Sequence, residues 1–559
     1  METVEMIAFV LRIASPVLAL ITIILCFVSM NKGKREDKAL ALLYNETFDK
    51  TYEVMYWENL IGRNENSDIV IEEDMTVSRT HAVLFRRNRE WFISDVDSKA
   101  GVFVNGQRIK KNCRIRSGDK IQLGSSIITL KPAVQVRTRV LPNTDARTIS
   151  GTLLVIMTAF YVLMMAVQAF IYQKEISVFM PSLTFIAVMF GYYFASCTVL
   201  KRPEFELETI AFVLSGTGIV MSSTYAMEWG FKQIISLVIG LVIYTFLIWF
   251  IKVPDRTKYQ RYIMAFAALG LVASAAVFGK TVNGASNWVY IGGMSLQPAE
   301  LAKIAYMFIC AGTLDRIRKN RYVVGLFIIT MAIFCMLYYI SDIGMAVVFF
   351  GAFLIAVYLW SGSRKAVAIV MLLAAAAVTV VVMVKPYIAD RFKVVGHVWE
   401  YAKDESYQQA HSLIFGASGG FFGLGIGNGN LRYITISESD LMFSVLSEEA
   451  GLLQALILVC TIGGLVLYAR SVTVQSRSVF YSMAACTASG LLVFQTALHI
   501  FGGLGMIPMT GLTLPFISYG GTSMMACWGL LAFIKSADER TYYRIKPEHS
   551  HRKRGEVLI

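Results

Sequence analysis

Long blocks of apolar residues constrain the fold of this chain more than any other feature. Each block is about twenty residues long, the length that an α-helix needs to cross the hydrocarbon core of a bilayer. One block runs from about Met6 to Met30. About twelve more follow from Thr152 onward, centred near residues 161, 190, 216, 242, 270, 306, 331, 351, 375, 455, 488 and 528. A globular core can bury one such block but not a dozen, so the sequence predicts a polytopic all-α membrane bundle.

The charged residues agree with this prediction. They make up only 16% of the chain, against about a quarter in soluble proteins. The net charge of +13 comes mostly from short linkers between apolar blocks, a pattern typical of cytoplasmic loops. Nucleic acid is therefore not an expected partner. The cysteines lie mainly in apolar segments without a CxxC motif, which argues against zinc or a disulfide framework.

The same basic linkers predict how the chain crosses the membrane. Residues 1–35 are predicted to be an N-terminal transmembrane anchor, because a basic segment follows the first apolar block. This places the N-terminus outside and the residues after the anchor in the cytoplasm. Arg12 lies about two turns into the apolar block and is expected to snorkel outward. The basic tail, residues 541–559, is predicted to be cytoplasmic.

Residues of about 36–148 break the apolar pattern and indicate a separate domain. They contain short alternating runs such as Ala82-Val-Leu-Phe85 and Trp91-Phe-Ile-Ser94. Asn105-Gly106 lies between two further runs, which is a strong β-hairpin signal. The sequence therefore predicts an all-β domain, located in the cytoplasm by the basic segment that precedes it.

Three motifs in this domain agree in order and spacing: Ile61-Gly-Arg63, Val77-Ser-Arg-Thr-His81 and the run from Asp97 to Gly106. Together they resemble the forkhead-associated (FHA) domain over residues 50–131, which implies a β-sandwich that binds phosphothreonine. A guanidinium fork and hydroxyl donors on loops suit phosphate recognition. The resemblance implies phosphopeptide-binding residues at Arg63, Ser78, Arg79 and Asn105, with His81 bracing the fold. Ala100 departs from the family pattern, so a structural domain with weak or lost binding remains an alternative.

Ionisable residues in the apolar region mark a second candidate site, because charges within a membrane are costly and usually face a cavity or a partner. Glu300 and Lys303 are spaced i, i+3 and share one helical face. Asp342 begins a predicted span, Asp440 ends a long loop of residues 386–440, and Glu448-Glu449 follow two turns later. Glycine-rich and polar stretches surround them, and such backbone lies at membrane depth only when it is buried in protein or lines a polar cavity.

These segments together resemble the SEDS family (shape, elongation, division and sporulation), the FtsW/RodA/SpoVE group of peptidoglycan glycosyltransferases. The resemblance covers residues 150–540. The motifs that carry it are Gln297-Pro-Ala-Glu-Leu-Ala-Lys303, Ser341-Asp-Ile-Gly344, Ser439-Asp-Leu-Met-Phe443 and Pro508 to Gly521. By resemblance Asp440 is the catalytic carboxylate. It also implies that Glu300 and Lys303 line the same central cavity. Five further polar residues of these segments are candidate cavity or substrate-binding residues: Asp342, Gln408, Ser412, Glu448 and Glu449.

The resemblance implies polymerisation of lipid II at the outer face of the bacterial cytoplasmic membrane. The 4-hydroxyl of one sugar would attack the anomeric carbon of another chain, with undecaprenyl pyrophosphate as leaving group. Asp440 would act as general base or would hold a divalent cation, Mg²⁺ or Mn²⁺, and the sequence does not separate the two roles. No organic cofactor is expected. The implied partners are a class B penicillin-binding protein and a phosphothreonine-containing protein.

Two other functions are compatible with the same features. A transporter that moves lipid II across the bilayer also needs charges within a helical bundle, although its site is expected near the midplane. A membrane scaffold that docks phosphopeptides needs only the FHA-like domain. The chain also departs from the SEDS pattern at Asn287 and at Ile434-Thr-Ile436, and two spans are added at the N-terminal side of the family core.

Overall fold

The structure is a computed structural model. It describes residues 2–32, 39–65, 67–87, 90–109, 112–132, 144–172, 179–200, 202, 204–251, 257–282, 285–291, 294–313, 320–384, 386–474 and 479–538. The basic tail predicted for residues 541–559 lies outside the described residues.

The chain begins with one long helix, α1, Glu2–Lys32. It packs against helices of the bundle rather than standing apart. The predicted anchor of residues 1–35 corresponds to this helix, and its residues 12–29 are long and apolar enough to cross a membrane.

An all-β sandwich follows the first helix. Its strands are β1 Ala41–Asn45, β2 Lys50–Val54, β3 Glu58–Gly62, β4 Ile69–Val70, β5 Ala82–Arg87, β6 Glu90–Asp95, β7 Val102–Val104, β8 Gln107–Arg108, β9 Cys113–Ile115, β10 Lys120–Leu123 and β11 Ser126–Pro132. One sheet has the order β2-β1-β11-β10-β7-β8 and the other β4-β3-β5-β6-β9. Alternate residues of both sheets, such as Leu43, Leu84, Ile93 and Leu130, form the core between them.

Two details of the sandwich bear on the sequence predictions. Asn105-Gly106 forms the two-residue turn between β7 and β8, with positive φ angles of 50° and 80°, as a type I′ hairpin requires. The sandwich begins at Ala41 rather than at residue 50, because β1 pairs along its whole length with β11.

Helices make up nearly all of the rest. They are α2 Thr144–Tyr172, α3 Met180–Thr198, α4 Glu206–Tyr225, α5 Met227–Ile251, α6 Thr257–Phe278, α7 Pro298–Thr313, α8 Asn320–Tyr339, α9 Ile343–Ser361, α10 Arg364–Val384, α11 Pro386–Lys393, α12 Tyr407–Ser418, α13 Ser437–Asp440, α14 Met442–Glu449, α15 Leu452–Val474, α16 Val479–Gly503 and α17 Gly521–Ala537. Each of the twelve predicted span centres lies in one of these helices. Among the described residues, nine helices including α1 are long and apolar enough to cross a membrane. The predicted polytopic bundle with an all-β domain is confirmed.

Two connections between helices carry structure of their own. The first holds three short antiparallel strands, β12 Lys280–Val282, β13 Ala285–Ile291 and β14 Met294–Leu296. The second, from α10 to α15, contains α11 to α14. Since it lies between two spans, its residues are outside the membrane-spanning segments.

The sandwich contacts the bundle at the end of α1 away from the second connection. Trp57, on the turn before β3, packs edge-on against Tyr481 of α16 with ring centroids 6.2 Å apart. The Tyr481 hydroxyl in turn donates to the carbonyl of Ile251 at 2.9 Å.

Candidate active site and phosphopeptide site

Asp440 closes the four-residue helix α13. Its side chain is half-buried, and Oδ1 accepts a hydrogen bond from the Ser439 hydroxyl at 2.7 Å. Burial raises the pKa of Asp440 to about 6; the Ser439 hydrogen bond and the positive charge of Arg391 oppose this rise, and the negative charge of Glu438 adds to it. A carboxylate with a pKa of about 6 is ionised at neutral pH and still able to take a proton.

The loop of residues 504–520 wraps around this segment. The Ser518 hydroxyl donates to the carbonyl of Ser439 at 2.6 Å, and the amide of Tyr519 donates to the carbonyl of Glu438 at 2.9 Å. A Cβ atom at Gly511 would lie 3.5 Å from Asp440 Oδ2. The loop therefore fixes the backbone before Asp440 and leaves a glycine, with its bare backbone, facing the carboxylate.

Glu300 and Lys303 lie on the same face of α7, as predicted, and form an ion pair of 2.6 Å. Their side chains are only 3% and 1% exposed. Lys303 Nζ also donates to Gln495 Oε1 at 2.8 Å, and Gln495 Nε2 donates to the carbonyl of Thr513 at 3.0 Å. Because Thr513 is two residues after Gly511, one loop joins the Glu300–Lys303 pair to Asp440.

His499 was not identified from the sequence, yet it braces the same loop. Its Nε2 accepts the amide N–H of Phe443 at 3.3 Å, so the ring proton is on Nδ1, which donates to the carbonyl of Leu512 at 2.7 Å. The neutral ring thus bridges the start of α14 and the loop. Gln495 was not identified from the sequence either. One signal for both was present, since each is a large polar residue in a largely apolar helix.

Asp342 caps α9 and connects β13 with the segment just before α7. Its Oδ1 accepts the amide of Met345 at 3.1 Å. Its Oδ2 accepts from the Asn287 amide at 3.0 Å and from the Gln297 amide at 2.9 Å. Gln297 lies just before α7, so Asp342 helps to position the helix that carries Glu300. Asn287, a departure from the family pattern, is part of this arrangement.

Glu448 and Glu449 are buried and bind backbone of the glycine-rich loop 419–431. The Glu448 carboxylate accepts the amides of Asn430 at 2.7 Å and Leu431 at 2.9 Å. Glu449 Oε2 accepts the amide of Gly427 at 2.7 Å. Both carboxylates therefore hold the loop that leads to α13.

Gln408 and Ser412 lie on α12 beside this region. The half-buried Gln408 donates from Nε2 to the carbonyl of Thr435 at 2.9 Å, five residues before Asp440. The buried Ser412 donates to Ser444 Oγ at 2.7 Å. Both therefore contact segments that flank Asp440.

A metal site made by the protein alone is not found in the part of the chain that the structure describes, since no group of three or more His, Cys, Asp or Glu side chains is arranged to hold an ion. Glu438 is the carboxylate whose negative charge acts on Asp440.

The predicted phosphopeptide residues lie on loops at one end of the sandwich. The amide of Arg63 donates to the carbonyl of Ser78 at 3.1 Å, and Ser78 Oγ accepts the amide of Lys99 at 3.0 Å. Arg79 is exposed. Gly62 is required here, because a Cβ atom would lie 2.2 Å from the Arg79 carbonyl. The structure therefore brings Arg63, Ser78 and Arg79 together.

Two further side chains hold these loops. His81 is fully buried, accepts the amide of Ser78 on Nδ1 at 3.0 Å and contacts the Gly101 carbonyl through Nε2 at 3.1 Å. Asn105 donates to Asp119 Oδ1 and accepts the amide of Lys120, both at 3.0 Å. His81 thus braces two loops, and Asn105 fixes the hairpin turn next to them.

Comparison with known proteins gives two family matches. The model for the cell cycle proteins FtsW, RodA and SpoVE matches residues 204–543, and the model for the FHA domain matches residues 59–124.

Individual proteins agree. The probable peptidoglycan glycosyltransferase FtsW of Bacillus subtilis is 28% identical over 60% of this chain and 90% of its own length. The protein of the same name from Pseudomonas fluorescens is 31% identical over 59% of this chain and 88% of its own length. A solved chain described as "Structural coordination of polymerization and crosslinking by a peptidoglycan synthase complex" has 24% identity and a TM-score of 0.50, covering 59% of this chain and 96% of that chain. That structure supports the fold.

Proposed function

Because the chain belongs to the FtsW/RodA/SpoVE family of cell cycle proteins and carries an FHA domain, we propose that it is a peptidoglycan glycosyltransferase that polymerises lipid II. The observation that carries the proposal is Asp440, a half-buried carboxylate with a pKa of about 6. It lies in the connection between two spans, within a backbone that Ser518 and Tyr519 hold in place.

The proposed reaction transfers a glycosyl group between two lipid-linked chains. The 4-hydroxyl oxygen of the acceptor sugar forms a bond to the anomeric carbon of the donor, and the bond from that carbon to undecaprenyl pyrophosphate breaks. Asp440 takes the hydroxyl proton as general base. Its raised pKa brings it close to the operating pH, where general-base catalysis is most efficient.

The Glu300–Lys303 pair is connected to loop 504–520, which faces Asp440. Lys303 is bound by Glu300 and Gln495, and Gln495 holds Thr513 beside Gly511. We propose that the pair fixes the loop facing Asp440 and that Lys303 supplies positive potential for the pyrophosphate leaving group.

A divalent cation is compatible with the residues present. Mg²⁺ is commonly bound by one or two carboxylates together with substrate phosphates, and Asp440 with Glu438 provides such a pair. When bound, a Mg²⁺ or Mn²⁺ ion would neutralise charge on the pyrophosphate.

The family also suggests where the protein lies in the cell. We propose that the protein lies in the bacterial cytoplasmic membrane with its N-terminus and Asp440 outside, and with the FHA domain and C-terminus in the cytoplasm. The position of Arg12 near the Asp440 connection and of the sandwich near the other end of α1 supports this arrangement. A class B penicillin-binding protein and a phosphothreonine-containing protein are the proposed partners.

Reconstituted polymerisation tests the proposal. The purified full chain, alone and with a class B penicillin-binding protein, is incubated with labelled lipid II, and glycan strands are separated on a gel. We expect Asp440→Asn to lower the rate by at least roughly a hundredfold, the range typical of a lost general base. Asp404→Asn, at an exposed position of the same connection, is the matched control. Full polymerisation by Asp440→Asn would reject Asp440 as the catalytic group, and lipid II transfer across liposomes without polymerisation would favour a transporter.

A further inference from the structure

Helix α1 lies outside residues 204–543, the region that the family model matches, yet it reaches the loop that leads to Asp440. Arg12 Nη1 donates to the carbonyl of Gly423 and Nη2 to the carbonyl of Leu424, each at 3.1 Å. The sequence predicts only that Arg12 snorkels toward the membrane surface. In the structure its guanidinium instead binds two consecutive carbonyls of the protein.

The other side of the same loop is held by α14. The amides of Leu424 and Gly425 donate to the carbonyls of Glu448 and Glu449, both at 2.8 Å. The Glu448 and Glu449 carboxylates take three more loop amides, from Gly427, Asn430 and Leu431. The loop amides therefore face α14, whereas the carbonyls of residues 423 and 424 face α1.

The loop has almost no room to shift toward α14. A Cβ atom at Gly419 would lie 2.2 Å from the Ser447 carbonyl, and one at Gly423 would lie 2.3 Å from the Glu449 carbonyl. At Gly429 it would lie 2.6 Å from the Glu448 carboxylate. Backbone thus packs directly on backbone, and Arg12 covers the remaining side.

Arg12, loop 419–431 and α14 together form a clamp. This clamp includes both chain segments that flank Asp440. The loop continues through a 3₁₀ turn, Leu431–Tyr433, into α13, which ends at Asp440. On the other side of Asp440, α14 begins at Met442 and carries Glu448 and Glu449. Arg432 adds a further bond from its guanidinium to the carbonyl of Gly427 at 2.8 Å.

We propose that Arg12 is a positioning residue for Asp440, holding loop 419–431 against α14 through its two carbonyl contacts. The role in catalysis rests on the proposed glycosyltransferase function. A planar guanidinium fork can donate to two neighbouring carbonyls at once, whereas an ammonium group is a point charge on a flexible stem. Without Arg12, the carbonyls of Gly423 and Leu424 lose the donor that links them to α1, which loosens the loop.

Arg12→Ala in the full-length protein tests the proposal with two measurements. Hydrogen–deuterium exchange should become faster at the amides of residues 424–431. The kcat for lipid II polymerisation should fall roughly tenfold to a hundredfold, the scale of a small misplacement of a catalytic group, while KM changes less than about twofold because no substrate contact is removed. Arg12→Lys should recover part of kcat. Arg470→Ala, at an exposed position at the far end of α15, makes the same charge change and should leave both measurements unaltered.

Each other outcome overturns a defined part of the proposal. Unchanged exchange in Arg12→Ala would reject the clamp itself. Lower protein yield or melting temperature with an unchanged kcat would show that Arg12 only anchors α1, and full recovery by Arg12→Lys would reject the need for a fork. A wild-type protein that exchanges slowly in this loop but makes no glycan would overturn the proposed function while leaving the clamp intact.

Discussion

The two polar sites of this protein are built in opposite ways. Around Asp440, charged groups are bound to other groups of the protein, and the Glu300–Lys303 pair is almost completely buried. On the FHA domain, the loops that carry Arg63 and Ser78 are fixed by backbone hydrogen bonds, and Arg79 extends into solvent. One site is completed within the fold, and the other leaves Arg79 exposed to solvent.

The surroundings explain this difference. The Glu300–Lys303 pair lies so deep in the helical bundle that no water is at hand to bond its polar groups, so they must find partners within the protein. A β-sandwich with loops in water has no such constraint, because solvent satisfies its donors until a phosphate replaces it. Substitutions of the buried Glu300–Lys303 pair should therefore alter stability together with activity, whereas substitution of Arg63 or Arg79 on the FHA loops should alter ligand affinity alone.

Lys303→Met gives the largest effect that this comparison predicts. Removing one member of a buried ion pair leaves the other charge uncompensated, which typically costs about 3–5 kcal/mol. We expect a strongly lowered free energy of unfolding, measured by denaturant or thermal unfolding in detergent, and loss of polymerisation.

The double substitution Glu300→Gln with Lys303→Met separates the two roles of the pair. It removes both charges, so much of the stability should return. If polymerisation returns with it, the pair acts only on helix packing, and a positive potential at Lys303 is not needed. Polymerisation that stays absent in a stable double variant would support a direct role of Lys303 at the leaving group.

Arg63→Ala tests the other half of the comparison. A lost hydrogen bond to a charged group lowers affinity by roughly tenfold to a hundredfold, so binding of a degenerate phosphothreonine peptide library should weaken by that factor in fluorescence anisotropy. The melting temperature and the polymerisation rate without peptide should stay at wild-type values. Arg114→Ala, in an exposed ion pair with Glu90, is the control. A wild-type domain that binds no member of the library would instead indicate a structural domain, as Ala100 suggests.

Features encoded in short segments were predictable from the sequence. The Asn105-Gly106 hairpin, the shared face of Glu300 and Lys303, and the cap at Asp342 each depend on residues within one turn or one helix. The helices at the twelve predicted centres follow in the same way, since each reflects a continuous apolar block.

Features that depend on distant segments were not predictable. Gln495 and His499 gain their roles only because loop 504–520 passes beside α16, and nothing local to either residue indicates that path. Arg12 contacts carbonyls more than four hundred positions away along the chain. Glu448 and Glu449 are predicted at the cavity because a charge in an apolar region suggests function. Their place at the cavity stays a prediction, but the bonds that both carboxylates accept from amides of loop 419–431 could only be seen in the fold.

The smallest predicted effect concerns the pH dependence of activity at Asp440. The Ser439 hydroxyl donates to the Asp440 carboxylate and so favours its ionised form. Ser439→Ala removes this donor, and the pKa of Asp440 should rise further above about 6. Because the ionised form is the active one, the acidic limb of the kcat/KM profile should move to higher pH, by about one unit for a single hydrogen bond to a charged carboxylate.

Repeating this profile at several Mg²⁺ concentrations distinguishes the two roles of Asp440. A cation competes with the proton for the carboxylate, so a metal-binding Asp440 predicts a limb that moves to lower pH as Mg²⁺ increases. If Asp440 acts as a general base without a metal, the acidic limb should stay at the same pH as Mg²⁺ increases. Ser418→Ala, whose hydroxyl donates to the carbonyl of Phe415 on exposed α12 surface, should leave the profile unchanged at every concentration. A limb that moves to lower pH in Ser439→Ala would contradict the hydrogen bond as the group that keeps Asp440 ionised.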